Sequence, residues 1–193
     1  MSLQILRSLG QTFSHFLLGN EVAPPLSPLR DGVFRVEHKL EKLHQFLEGH
    51  SWKIAPEESD LRARTLDTVD FSQFAVAGVV QPWEDSISGE LYLHRSKTGS
   101  ENLGYIRLGV GFFLCCWENQ QHLPPFLKEK VDGQVRFILF DGDVLEDKDG
   151  KRYMLFMFHD ELGWDWGMYA MTDKLIRSDQ SAVISLYTPF LTH

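Results

Sequence analysis

Between Gly104 and Met171 the chain presents YIRLGVGFFLCCW, VRFILF, RYMLFMFH and WGMYAM in succession, with breaks rich in Gly, Asp or Pro between them. Short runs of aromatic, β-branched and other apolar residues bounded by turn formers are the pattern of consecutive strands in an antiparallel sheet. FAVAGVVQPW (Phe74 to Trp83) and ELYLHR (Glu90 to Arg95) precede them and SAVISLYTPF follows, which brings the count to about seven strands. In the longest run, Tyr105 to Trp117, alternation places Ile106, Leu108, Val110, Phe112, Leu114 and Cys116 on one face. Gly109 and Gly111 share the other face, where they leave room for a ligand to approach or let the sheet coil sharply.

The segments before the strands read as helices. Leu6, Leu9, Phe13 and Phe16 recur at three- and four-residue spacing, which predicts an amphipathic helix over residues 1–20. Residues 21–32 hold three prolines and one glycine, the chemistry of a linker. Val33, Val36, Leu40, Leu43 and Leu47 then form a second helical stripe over 33–49, with Gly49 where a C-terminal cap belongs. The expected fold is therefore a single α+β domain. Two N-terminal helices pack on a strongly curved, barrel-like or sandwich-like antiparallel sheet spanning residues 70–193.

Composition narrows the classes of function. The chain has 193 residues and a net charge of -8, and residues 1–50 carry equal numbers of acidic and basic groups, so the strand region holds the acidity. An acidic surface without a Lys/Arg cluster repels phosphate backbones, which argues against nucleic-acid binding. No apolar run approaches the ~20 residues of a transmembrane helix. The only cysteines, Cys115 and Cys116, are adjacent and offer no disulfide framework, which favours a reducing, cytoplasmic setting. No dinucleotide-binding or P-loop motif is present, and no cofactor is implied.

Three sets of residues invite a functional reading. The segment His159 to Gly167 follows a strongly apolar strand at the end of the sheet, where barrels and sandwiches open. There Trp164, Asp165 and Trp166, with Gly109, Gly111 and His94, are candidates to bind a small apolar or aromatic ligand. A second set, Asp141, Asp143, Glu146, Asp147 and Asp149, reads as an acidic hairpin that would meet a basic protein partner. It is not a calcium loop: with Asp149-Gly150 at the central turn, Leu145 falls at the first ligand position and Phe156 at the last. A third set would make an enzyme, with His159 as general base assisted by Asp160 or Glu161.

His38, His44 and His50 are no metal set, because steps of six residues separate side chains by about 240° around a helix. The expectation that emerges is a non-catalytic binding protein for a small ligand. An acidic interaction module and a His159 enzyme are the alternatives, and a homodimer is compatible with each.

Overall fold

The computed structural model describes residues 33–35, 40–66 and 68–184. The expected helix over 1–20 and the linker over 21–32 lie outside them. The elements run β1 (Val33–Arg35), α1 (Leu40–Gly49), β2 (Lys53–Ile54), β3 (Thr68–Asp70), β4 (Phe74–Gly78), β5 (Ser86–Ser88), α2 (Gly89–Leu103), β6 (Ile106–Arg107), α3 (Val110–Glu118), β7 (Phe137–Glu146), β8 (Arg152–Asp160), β9 (Gly163–Ala170), β10 (Lys174–Ile176) and β11 (Asp179–Ile184). The fold class is α+β, as expected, but the sheet is mixed and open. Its order is β4-β11-β7-β8-β9, with β2 added beside β7 and β6 beside β11. The β7–β11 pair is parallel, and two small ribbons, β1–β3 and β5–β10, stand apart from the main sheet. The strong curl expected from the sequence is absent.

Strand β8 explains the layering. Met154, Leu155, Phe156, Met157 and Phe158 are all buried, so both faces of the strand are covered. Leu155 and Met157 join Ile138, Phe140 and Trp166 in one cluster, capped by Phe46 of α1 and by Val110, Phe112, Phe113, Cys115 and Cys116 of α3. Met154, Phe156 and Phe158 join Phe137 and Leu139 in the opposite cluster, closed by Tyr92 and Leu93 of α2. Period-two alternation thus sends neighbouring residues into separate cores. The helices cover both faces of the sheet and do not sit together at the N-terminus.

Two of the expected strands are helices. Glu90 to Arg95 lies in α2, where the Ser88 side chain accepts from Leu91 N at 3.3 Å and Gly104, at φ +72°, closes the C-terminus. Tyr92, Leu93, Ser96 and Ser100 are its buried stripe. Ser96 to Leu103 form the second half of this helix, and Gly104 is its cap. Tyr105 to Trp117 divides into β6 and α3, so Gly109 and Gly111 belong to the start of a helix and do not line one face of a strand. The expected helix over 33–49 is helical from Leu40, after the short strand β1. Cys115 and Cys116 are free and buried, with burial raising Cys115 to about 12 and lifting Cys116 well above its ordinary value. No helix among the described residues is long and apolar enough to cross a membrane.

The acidic segment expected as a hairpin is strand as far as Glu146, and its irregularity shapes the molecule. β7 pairs with β8 from Phe137 to Phe140 and again at Leu145 and Glu146, with a register shift between. Across this bulge the other neighbour of β7 changes from β11 to β2, and that of β11 changes from β7 to β6. The sheet parts there, and two segments enter the opening. Gly142 N donates to Leu108 O at 2.9 Å, Asp60 N to Gly142 O at 2.7 Å, and Ala55 N to Val144 O at 2.9 Å.

Candidate functional site

The segment from Ala55 to Thr65 crosses this opening as two 3-10 turns, the first started by Pro56. Asp60, at 7% exposure, organises the second turn. Its carboxylate accepts from Arg62 N at 3.2 Å, from Arg62 Nε at 2.9 Å and from Arg62 Nη2 at 2.7 Å, and reaches across to Arg107 N at 3.1 Å. Arg62 also donates to Ser100 Oγ and to Tyr105 O, which ties the turn to the end of α2.

Beneath lies Arg107, at 3% exposure, donating to Asp141 O and to Glu58 O. The Asp141 carboxylate is fully buried and accepts from Ser181 Oγ at 2.7 Å, with Ser96 Oγ a further 3.0 Å from Ser181 Oγ. Asp143 points elsewhere from the same bulge. One of its oxygens accepts from Ser59 Oγ at 2.7 Å and the other from Val110 N at 3.0 Å, so that it caps α3. A Cβ on Gly109 would stand 2.0 Å from the Asp143 carboxylate oxygen, so any larger residue here pushes that carboxylate off the helix start.

Between the 3-10 turns, the C-terminal half of α2 and β6 opens a cleft of about 410 Å³. Asp60, Ser100 and Arg107 form its buried floor, with Arg62, Lys97 and Leu61 around them and Glu57 and Glu101 exposed at the mouth. Its three cations are each engaged: Arg62 with Asp60, Lys97 with Glu58, and Arg107 with the backbone carbonyls of Asp141 and Glu58. Glu58 also pairs with Arg152, which reaches on to Glu90.

These contacts fix charge. Burial alone would raise the Asp60 pKa, but the hydrogen bonds from Arg62 and Arg107 N outweigh it and hold the carboxyl below its ordinary value. The same Asp60 contact raises the Arg62 pKa. Asp141 goes the other way: burial lifts it, and Arg107, Ser96 and Ser181 only partly offset the rise.

The residues singled out from the sequence are dispersed. Trp164 and Trp166 share a face of β9, but Trp166 is a core residue at 4% exposure, 5.3 Å from the Phe113 ring and 6.0 Å from Phe46. Trp164 is half-buried, edge-on to His159 at 5.1 Å. Asp165 is buried on the opposite face, where its carboxylate accepts from Trp166 N at 2.8 Å. His94 is exposed on α2, away from the glycines and tryptophans it was grouped with.

Of the enzyme candidates, His159 is half-buried, with burial and then Lys128 lowering its pKa. Asp160 accepts from Leu162 N in the β8–β9 turn, and Glu161 is exposed there. The acidic set divides. Asp141 and Asp143 are interior, Glu146 pairs with Lys53 at 2.7 Å, Asp147 holds its turn through Asp149 N, Lys151 N and Tyr153 OH, and Asp149 is exposed. An acidic surface running from Asp141 to Asp149 is therefore not formed.

Asp60, Arg62, Lys97, Ser100 and Arg107 were not recognised in the sequence. Their signal was local: Asp60 and Arg62 two apart in a turn-forming stretch, and Ser96 and Ser100 four apart behind Tyr92, which on a helix make a buried polar stripe. Comparison with protein families, with curated proteins and with solved structures finds no match for this chain.

Proposed function

We propose that the chain is a non-catalytic binding protein whose ligand is small and polar and sits in the cleft between the 3-10 turns and α2. The observation that carries this reading is the fixed charge of the cleft. Its floor is built from buried, mutually bonded groups, and the carboxyl of Asp60 and the guanidinium of Arg62 are both held in their charged forms. Groups locked in this way orient a ligand well but exchange protons poorly near neutral pH, which is the opposite of what general acid-base catalysis needs. The volume of about 410 Å³ falls in the range of small-molecule sites.

The ligand is thus placed in this cleft and not against the Trp164/Trp166 segment, and its character is polar and not aromatic. The test is native mass spectrometry of the chain beside its denatured mass. A retained small molecule is expected, lost in Leu61→Trp, which sets an indole at the mouth from an exposed position and leaves the melting temperature unchanged. A chain that carries nothing, or a bound molecule that survives Leu61→Trp, removes the cleft as the site.

A further inference from the structure

Four strand ends meet in one row at the edge of the core. β7 and β8 pair Phe137 with Phe158, β8 and β9 pair His159 with Trp164, and β7 and β11 pair Phe137 with Asp179. One step back along β7 and β11, the same registers set Arg136 opposite His159 and Ser178 beside Arg136. Alternation then puts Ser178, Arg136, His159 and Trp164 on the face that carries Ala182, Ile138, Met157 and Trp166. Phe137 N donates to Ser178 O at 3.0 Å, which holds the first two positions together, and the rings of His159 and Trp164 meet edge-on at 5.1 Å.

The polar atoms of this row lack partners. Among the described residues Ser178 Oγ, Arg136 Nε and Trp164 Nε1 are buried and make no hydrogen bond, and Ser178 is 2% exposed. All three can donate. A buried donor without an acceptor is costly, and packing alone does not account for three of them in one row. Lys128, at the end of the 3-10 turn Pro125–Lys128, lies near enough to His159 to lower its pKa. Asp160 acts on His159 in the opposite sense and more weakly, and its carboxylate accepts from Leu162 N in the β8–β9 turn. Arg177, next to Ser178, is paired with Asp132. Arg136 and His159 are half-buried, so the row opens to solvent at its middle.

We infer that this row binds a small elongated anion, with one oxyanion group on Arg136 and Ser178 and a second acceptor on the Trp164 indole beside His159. The positions of Arg136 and Trp164 are two strand spacings apart, about 10 Å, and their long side chains shorten the distance between donors. Two acceptor groups joined by a short link span that gap, whereas a single ion does not. Carboxylates and phosphates share the required chemistry, since both accept from guanidinium, hydroxyl and indole N–H groups. The row shares no residue with the cleft, so the two sites are tested independently.

The experiment is an NMR titration of the full chain with succinate, with pyrophosphate and with putrescine as a cationic control, following the backbone amides and the five indole N–H signals. Trp164→Phe identifies the indole signal of interest. A saturable shift of that signal, together with the amides around residues 136, 159 and 178, is expected with the anions. Tighter binding of succinate points to a dicarboxylate and tighter binding of pyrophosphate to a phosphorylated ligand. In Ser178→Ala and in Arg136→Met, which keeps the apolar stem, the affinity falls about tenfold or more. The melting temperature does not fall in Ser178→Ala, because no internal hydrogen bond is given up.

An indole signal that moves with neither anion, shifts that persist undiminished in both variants, or an equal response to putrescine overturns the inference. A lowered melting temperature in Ser178→Ala would show that its hydroxyl has a partner within the fold, and overturns it too.

Discussion

At the scale of single residues, carboxylates do several different jobs in this chain. Asp60 and Asp143 act as acceptors that hold turns and a helix start, and Glu84 is clamped by Arg95 through two contacts, which with Gln81 N lowers its pKa to about 2. The turn fixed by that clamp carries Trp83, at 80% exposure. Asp179 is the opposite case. It is buried at the start of β11, accepts from Ile176 N at 2.8 Å and lies 3.4 Å from Tyr169 OH, yet burial raises its pKa from 3.8 to about 7.

The consequence for stability follows from linkage. Between pH 4 and 7 the folded state holds a proton on Asp179 that the unfolded chain has released. Stability therefore falls as pH rises across that window and is level above it. Asp179→Asn retains an acceptor for Ile176 N and has no charge to bury. Urea unfolding at pH 5 and pH 8 should show the wild type losing about 2–3 kcal/mol more than the variant over this interval. Equal losses would show that the carboxyl ionises freely in the fold.

At the scale of elements, the paired glycines of α3 give a direct check on how the chain was read. Gly109 precedes the helix and touches the Asp143 carboxylate, whereas a Cβ on Gly111 meets nothing within 4 Å. Gly111→Ala should therefore stabilise the fold by about 0.5–1 kcal/mol by restricting the unfolded chain and favouring helix. Gly109→Ala should destabilise it by about 1–2 kcal/mol through displacement of the cap. Chemical denaturation of the two variants measures both, and a destabilising Gly111→Ala would contradict the helix.

The sequence made β7, β8 and β9 legible because each joins a strand-length apolar run to a recognisable turn. It misled at α3, where VGFFLCCWE is apolar on every side. Such a run satisfies the pattern of a buried strand and of a buried helix alike. α2 was lost for a related reason: LYLH alternates like a strand over four residues, and only Ser88 ahead of it and Gly104 after it mark the longer period. The cleft was illegible because its parts lie about forty residues apart in sequence and meet only where β7 bulges. Nothing local in ESDLRAR announces Arg107.

At the scale of the whole molecule, β8 is shared by two cores. Phe156 meets the Tyr169 ring at a tilt at 4.6 Å and Phe137 edge-on at 5.5 Å on one face, and its neighbours Leu155 and Met157 anchor the other. A cavity at Phe156 should therefore be felt beyond the α2 side. Phe156→Ala is expected to cost about 3–5 kcal/mol. Hydrogen exchange followed in β8 and α3 together should speed up in both, and acceleration limited to α2 and β5–β10 would show the two layers to be independent.

The parallel pairing of β11 with β7 has a consequence for how the molecule comes into being. β11 lies between β4 on one side and β7 and β6 on the other, so residues 179–184 fill a slot bounded by segments made as much as a hundred residues earlier. On the ribosome, strands β4 and β7 emerge with unsatisfied edges and wait for that final insertion. The central sheet is thus completed only once β11 has been made, and until then the open edges of β4 and β7 are the aggregation-prone part of the nascent fold.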